Sequence, residues 1–165
     1  MMNLILATTP TAPDVNFQML LPELILSTAG VVVMLVDAFT RRRGRRWVTG
    51  SLALAGMVAG AWATLWLWGS AAGSSAFGGM IVLDTLRLSF TLVFLVVAAL
   101  TILISMIWVE WEGLPAGEFH TLLLFATVGM MLMASGNDLV MIFLGLEILS
   151  IATYVMAGFR KDDVR

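Results

Sequence analysis

The 165-residue sequence has no cysteine and only one histidine, His120. Disulfides, thiolate nucleophiles and cysteine-ligated clusters are therefore excluded, and so is a histidine-rich metal centre. Charge is scarce: Asp, Glu, Lys and Arg make up 12% of the residues, against about 25% in an average soluble domain. There is one lysine, Lys161, so no lysine lies inside an apolar run. No glycine-rich phosphate cradle, metal-ligand cluster or nucleophile–base pair is visible. Nothing in the pattern suits nucleic acid, so no nucleic-acid partner is expected.

What fills the sequence is apolar. Hydrophobic residues reach 60% and the mean hydropathy is +0.98. A soluble fold of this size could not hide so much apolar surface, whereas a lipid bilayer removes the need to hide it. The expected fold class is all-α: a polytopic bundle of about five transmembrane helices. A spanning helix needs about 20 mostly apolar residues. Five segments qualify, at 17–40, 47–68, 86–108, 119–135 and 139–159.

The connections differ from the spans in composition. Residues 1–16 read as a short tail, because Pro10 and Pro13 interrupt them and no basic residue precedes the apolar start, as a signal peptide would require. Residues 41–46 are five arginines and a glycine, and residues 69–85 open with a Gly/Ser/Ala-rich loop. Ile81 to Leu86 is a short apolar stretch suited to the membrane interface. Residues 109–118 carry acids, Gly113, Pro115 and Gly117, and 136–138 make a tight turn. Asn137 or Asp138 can cap the following helix.

Eight of the nine positive residues fall at 41–46 and 160–165. With five spans those two segments lie on one side, so count and charge bias agree. That side is expected to be cytoplasmic and the amino terminus outside. Trp47, Trp66, Trp68, Trp108 and Trp111 fall at span ends, as interfacial anchors do. Gly56 and Gly60 form a GxxxG pair, suited to close helix contact within the chain or to a dimer.

Glu147 is the residue most suggestive of chemistry. It lies near the middle of the fifth span, between Leu144 and Leu149. An acid at that depth costs about 2.5–3.5 kcal/mol and normally faces protein or water. Ser150 and Tyr154 are three and seven residues on, so all three share a helix face as a thin polar stripe. A carboxyl in a low-dielectric place holds its proton more tightly. It can then load and release that proton as a nearby cation or water chain changes. The alternative is a protonated glutamate hydrogen-bonded to a neighbouring helix, with a structural role only. Glu23 and Asp37, near the ends of the first span, read as solvated at the interface. Asp84 and Arg87 flank the third span and suit outward snorkelling. His120 reads as an ordinary interfacial residue, and Asp162 and Asp163 as solvated tail residues.

Residues 117–163 carry three specific stretches, GEFHTLLLFATVGMMLMAS, NDLVMIFLGLEILS and YVMAGFRKDD. They resemble the fourth and fifth helices of subunit N of the bacterial proton-pumping NADH–quinone oxidoreductase, respiratory complex I. LLPELIL at 20–26, followed by Asp37 and the basic loop, is similar to that subunit's first helix. The resemblance covers most of the chain, with 41–80 the least distinctive part.

The resemblance implies an antiporter-like subunit of the membrane arm, in a bacterial inner membrane. Its work would be proton translocation coupled to electron transfer from NADH to quinone. NAD, FMN, iron–sulfur clusters and quinone would be bound by other subunits, and no catalytic activity would belong to this chain alone. The family's proton-carrying glutamate maps onto Glu147 and pairs there with a lysine on a later, broken helix. The family has roughly fourteen helices, so the sequence looks like an amino-terminal fragment of such a subunit. Partners would be the other membrane-arm subunits, the lipid bilayer and the missing carboxyl-terminal part. Alternative readings are a related cation/proton antiporter or membrane-hydrogenase subunit, or a small oligomeric transporter using Glu147. A third is a purely structural membrane piece.

Overall fold

The computed structural model describes residues 16–39, 45–69, 73–111 and 115–158, without the side chains of 45, 46, 110 and 111. The tail ahead of Asn16, most of the basic 41–46 loop and the basic end at 160–165 lie outside the described residues.

Five helices carry the fold. They are α1 (Leu21–Phe39), α2 (Arg45–Trp68), α3 (Thr85–Trp111), α4 (Ala116–Ser135) and α5 (Leu139–Ala157). All five contain stretches long and apolar enough to cross a membrane. A 3-10 turn, Phe17–Leu20, leads into α1, and the Asn16 side chain accepts from the Gln18 amide at 3.0 Å. The Asp84 carboxylate accepts from the Arg87 amide at 2.8 Å and so closes the first turn of α3. Asp138 does the same for α5 through the Val140 amide. In each case a short polar side chain satisfies an amide that the helix leaves free.

Helices α1 to α4 form the bundle. α1 packs on α2 and α4, α3 packs on the same two, and α2 meets α4 across the middle. Leu26, Val33, Met57, Leu95, Ile102, Leu124, Val128 and Met131 build the core between them. That cluster contains no residue of α5, which packs chiefly on α4. Large apolar side chains cover the outside, including Val58, Trp62, Ile104, Ile107, Leu139 and Phe143. In water such a surface would aggregate; against acyl chains it is matched.

Small residues set the closest approaches. A Cβ added at Gly56 would meet the Ala29 Cβ at 2.5 Å, and one at Gly60 would touch Leu95 and Leu26. The GxxxG pair is therefore occupied inside the chain, where it brings α2 against α1 and α3. Gly129 and Gly145 do the same for α4 and α5. A Cβ on either would lie 2.8 Å from the other's carbonyl oxygen.

The segment expected as loop and interface at 69–85 holds a hairpin instead. β1 (Ser74–Ala76) pairs antiparallel with β2 (Ile81–Leu83), with Ala76 opposite Ile81. The reversal uses Gly78 and Gly79 at φ 69° and 88°, a region that glycine enters without penalty. The Asn137 amide donates to Met80 O at 2.8 Å and its side chain to Gly79 O at 3.0 Å, fastening the hairpin to the α4–α5 turn. Met19, Leu67, Ala76, Leu83 and Leu88 pack as a second cluster with the hairpin. The all-α expectation thus describes the five spans, and the short hairpin is an addition to it.

Candidate functional site

Helix geometry decides where Glu147 points. Gly145 and Ala152 are the buried residues of α5, so their side of the helix is the one against α4. At 100° per residue Glu147 lies about 200° from Gly145, on the opposite side. Tyr154 shares that outward face and Ser150 lies on its flank. Burial agrees: Glu147 is exposed, Tyr154 is 75% exposed and Ser150 is half-buried. The three expected site residues do fall on one side of α5, but that side faces away from the chain's own bundle. Among the described residues no hydrogen bond or ion pair reaches the Glu147 carboxylate. Leu144, Leu146 and Ile151 are exposed beside it.

Two further polar groups are buried, and both depart from the sequence expectation. Glu23 and Arg87, expected at headgroups and in outward snorkelling, are 3% and 2% exposed and paired at 2.7 Å. Arg87 also donates to Met19 O at 2.6 Å and to Val82 O at 3.2 Å. One guanidinium therefore ties α1, its leading turn and the hairpin to α3. Burial of an ion pair is favourable only when such extra hydrogen bonds satisfy it. The pair is not fully satisfied: Glu23 Oε2, Arg87 Nε and the nearby Thr91 hydroxyl, one turn along α3, have no partner among the described residues.

The second group is at the other end of α1. Asp37 is 5% exposed, and its carboxyl lies against Gly117 so closely that a Cβ there would collide with it. His120, one turn further along α4, is 0% exposed, not interfacial. Its Nε2 is 3.3 Å from the Ser105 hydroxyl of α3. Glu23 and Asp37 are fourteen residues apart, about 21 Å along the helix. The buried charges therefore occupy opposite ends of the bundle. Glu147 lies between those ends in depth, because its neighbours Gly145 and Leu149 pack on Gly129 in the middle of α4.

The Glu23–Arg87 pair left a signal that the sequence reading passed over. The starts of a first and a third span must lie on the same side of a membrane, so an acid in one and an arginine in the other can meet. Among the described residues no group of His, Asp or Glu is arranged to hold a metal ion.

No protein-family model matches the chain. Individual relatives do. It is 40% identical over 149 residues to NADH-quinone oxidoreductase subunit N of Chloroflexus aggregans, across 90% of this chain and 30% of that protein. The corresponding protein of Trichlorobacter lovleyi is 39% identical over 151 residues, 92% of this chain and 30% of its own length. NAD(P)H-quinone oxidoreductase subunit 2 of Thermosynechococcus vestitus is 43% identical over 155 residues, 93% of this chain and 30% of its own. Over nearly all of its sequence, then, the chain is a homologue of NADH–quinone oxidoreductase subunit N, spanning about 30% of the length of these curated relatives.

Proposed function

We propose that the chain acts within a proton-pumping NADH–quinone oxidoreductase, as part of a membrane-arm subunit that moves protons. The observation that carries this reading is Glu147, an acid at mid-span on the face of α5 turned away from the bundle. Lipid is a poor neighbour for it, since intramembrane acids face protein or water. Polypeptide beyond this stretch, or a neighbouring membrane-arm subunit, is the natural cover. The relatives are about three times as long as this chain, which leaves ample length for such cover.

The chemistry needs only a proton. A carboxyl at mid-span can carry one proton and pass it on when its polar surroundings change. A lysine brought to it from the covering segment favours the carboxylate, and the proton leaves along adjoining water. When the cation withdraws, the carboxylate takes a proton back. Ser150 and Tyr154, on the same side of α5, offer hydroxyls along which water can be ordered. Oxidation of NADH and reduction of quinone belong to other subunits, which hold the FMN and iron–sulfur clusters. This sequence has no cysteine with which to ligate such a cluster.

The reading is tested with Glu147→Gln in the assembled oxidoreductase, reconstituted in vesicles. Proton uptake per NADH oxidised should fall while the complex still assembles. Unchanged proton yield would remove Glu147 from the path.

The proposed orientation places the hairpin outside and the carboxyl terminus in the cytoplasm of a bacterial cell, across its inner membrane. The cysteine-free sequence makes this easy to check. Ser75→Cys, exposed in β1, should react with an impermeant maleimide from outside, and Lys161→Cys only after the cells are opened. The reverse pattern would invert the topology.

A further inference from the structure

Around the Glu23–Arg87 contact, three buried side-chain atoms have no hydrogen-bond partner among the described residues: Glu23 Oε2, Arg87 Nε and the Thr91 hydroxyl. The pair meets through one atom of each, Glu23 Oε1 and Arg87 Nη2, at 2.7 Å. Oε2 shares its carbon with Oε1, and Nε shares its carbon with Nη2, so both free atoms stand beside that contact. Thr91 follows Arg87 by four residues and lies on the same face of α3. Its Cα–Cβ bond tilts toward the amino terminus of the helix, back over the Arg87 turn. The hydroxyl also behaves unlike others in this chain. Thr28, Thr64, Thr101, Thr127 and Thr153 each donate to the carbonyl four residues back. Thr121 donates to Gly30 O of α1. Thr91, although buried, does neither. Buried polar atoms are rarely left so, and each asks for an explanation.

The three atoms specify what would satisfy them. Oε2 only accepts, Nε only donates through its one hydrogen, and the hydroxyl does both. A cation at that place would lie against the guanidinium, and an anion against the carboxylate. Residues 47–68 of α2 contain no acid or base to tip the balance. The Asp84 and Asp138 carboxylates at this end of the bundle accept from the Arg87 and Val140 amides. The ligand is therefore neutral and both donor and acceptor, and water is such a molecule. Buried waters make about three hydrogen bonds to polar groups that otherwise have none, and three such groups stand here.

We propose that Glu23 Oε2, Arg87 Nε and the Thr91 hydroxyl form an internal binding site for one water molecule. The water accepts from Arg87 Nε, donates to Glu23 Oε2 and shares a hydrogen bond with the Thr91 hydroxyl. It links the two charges a second time, where the direct contact uses a single carboxylate oxygen. A buried ion pair is favourable only when its remaining donors and acceptors are satisfied, and this water satisfies the two that protein atoms leave open. The site stands beside the Glu147 reading and does not depend on it.

The test is solid-state NMR of the isotope-labelled chain in lipid bilayers, with the Arg87 Nε–H resonance identified by its correlation to the Arg87 backbone amide. Magnetisation should pass from water to that Nε–H at mixing times too short for exchange with bulk solvent. Thr91→Val keeps the shape of the side chain and removes the hydroxyl, and the transfer should be lost. Thr91→Ser keeps the hydroxyl, and the transfer should remain. The unfolding midpoint should fall in Thr91→Val relative to Thr91→Ser. An Arg87 Nε–H that shows no water in the unmodified chain, and is bonded directly to Glu23, overturns the proposal. So does a transfer that persists undiminished in Thr91→Val, or a Thr91→Val chain more stable than Thr91→Ser, the result for a hydroxyl that holds nothing. If Thr91→Val does not fold, the unmodified chain and Thr91→Ser still decide the matter, since both must show the water.

Discussion

Glu23 of α1 and Arg87 of α3 meet at 2.7 Å, and both are almost wholly excluded from the outside of the bundle. Arg87 spends its other hydrogens on Met19 O, Val82 O and nothing else, so the guanidinium holds two helices and the hairpin together. Removing one partner leaves the other charged and buried, which costs about 3–5 kcal/mol. Glu23→Gln and Arg87→Met should each lower the unfolding midpoint of the chain in detergent by that order. The double variant should be less damaging than the sum of the two. Simple additivity in this double-mutant cycle would mean the two groups do not act as a pair.

Gly129 and Gly145 give a second prediction. Because a Cβ on either would lie 2.8 Å from backbone of the other helix, no side-chain rotation relieves the clash. Gly129→Val or Gly145→Val should push α5 off α4. The core among α1 to α4 contains no α5 residue and should survive. Hydrogen exchange would show loss of protection confined to 139–157. Uniform loss of protection would mean α5 is needed by the whole bundle.

Glu147 predicts its own chemistry in the isolated chain. An outward-facing acid in the apolar layer should react with a hydrophobic carbodiimide, and assembly with covering polypeptide should protect it. Glu147→Leu should stabilise the isolated chain in bilayers by about 3 kcal/mol, the insertion penalty of the acid. Failure of the carbodiimide to label Glu147 before assembly would contradict the outward placement.

Asn137 governs the hairpin. Its amide and side chain hold Met80 O and Gly79 O. Asn137→Ala removes the side-chain bond and keeps the amide, so the cost should be about 1 kcal/mol. Faster hydrogen exchange at Ile81 to Leu83, with α1 to α3 unaffected, would report it. No change in exchange would show that the amide and the Ile81–Gly136 pairing suffice.

Much of this fold is written in hydropathy. A run such as Leu86 to Trp108 has no other low-energy place than a bilayer, and its backbone must then be helical. Residues 74–83 were opaque for the opposite reason. Their ten residues are too short to span, and their pairing depends on a turn at Gly78 and Gly79 and on Asn137, far along the chain. Glu147 was legible because a single acid in an apolar run is costly wherever it points. The buried state of His120 was not, because a residue near a span end can face headgroups or a neighbour with the same sequence around it.

The apolar solvent, the five spans and the depth of Glu147 follow from local hydropathy, because each is a sum of transfer free energies along one run of residues. The tertiary structure alone decided what every polar group faces. It turned Glu147 outward on α5, closed Glu23 onto Arg87 across 64 residues, set Asp37 against Gly117 and buried His120 against Ser105. Those outcomes depend on the rotation of each helix about its axis. That rotation is fixed by small residues such as Gly56, Gly129 and Gly145 meeting a partner helix, a contact that no local run of sequence contains.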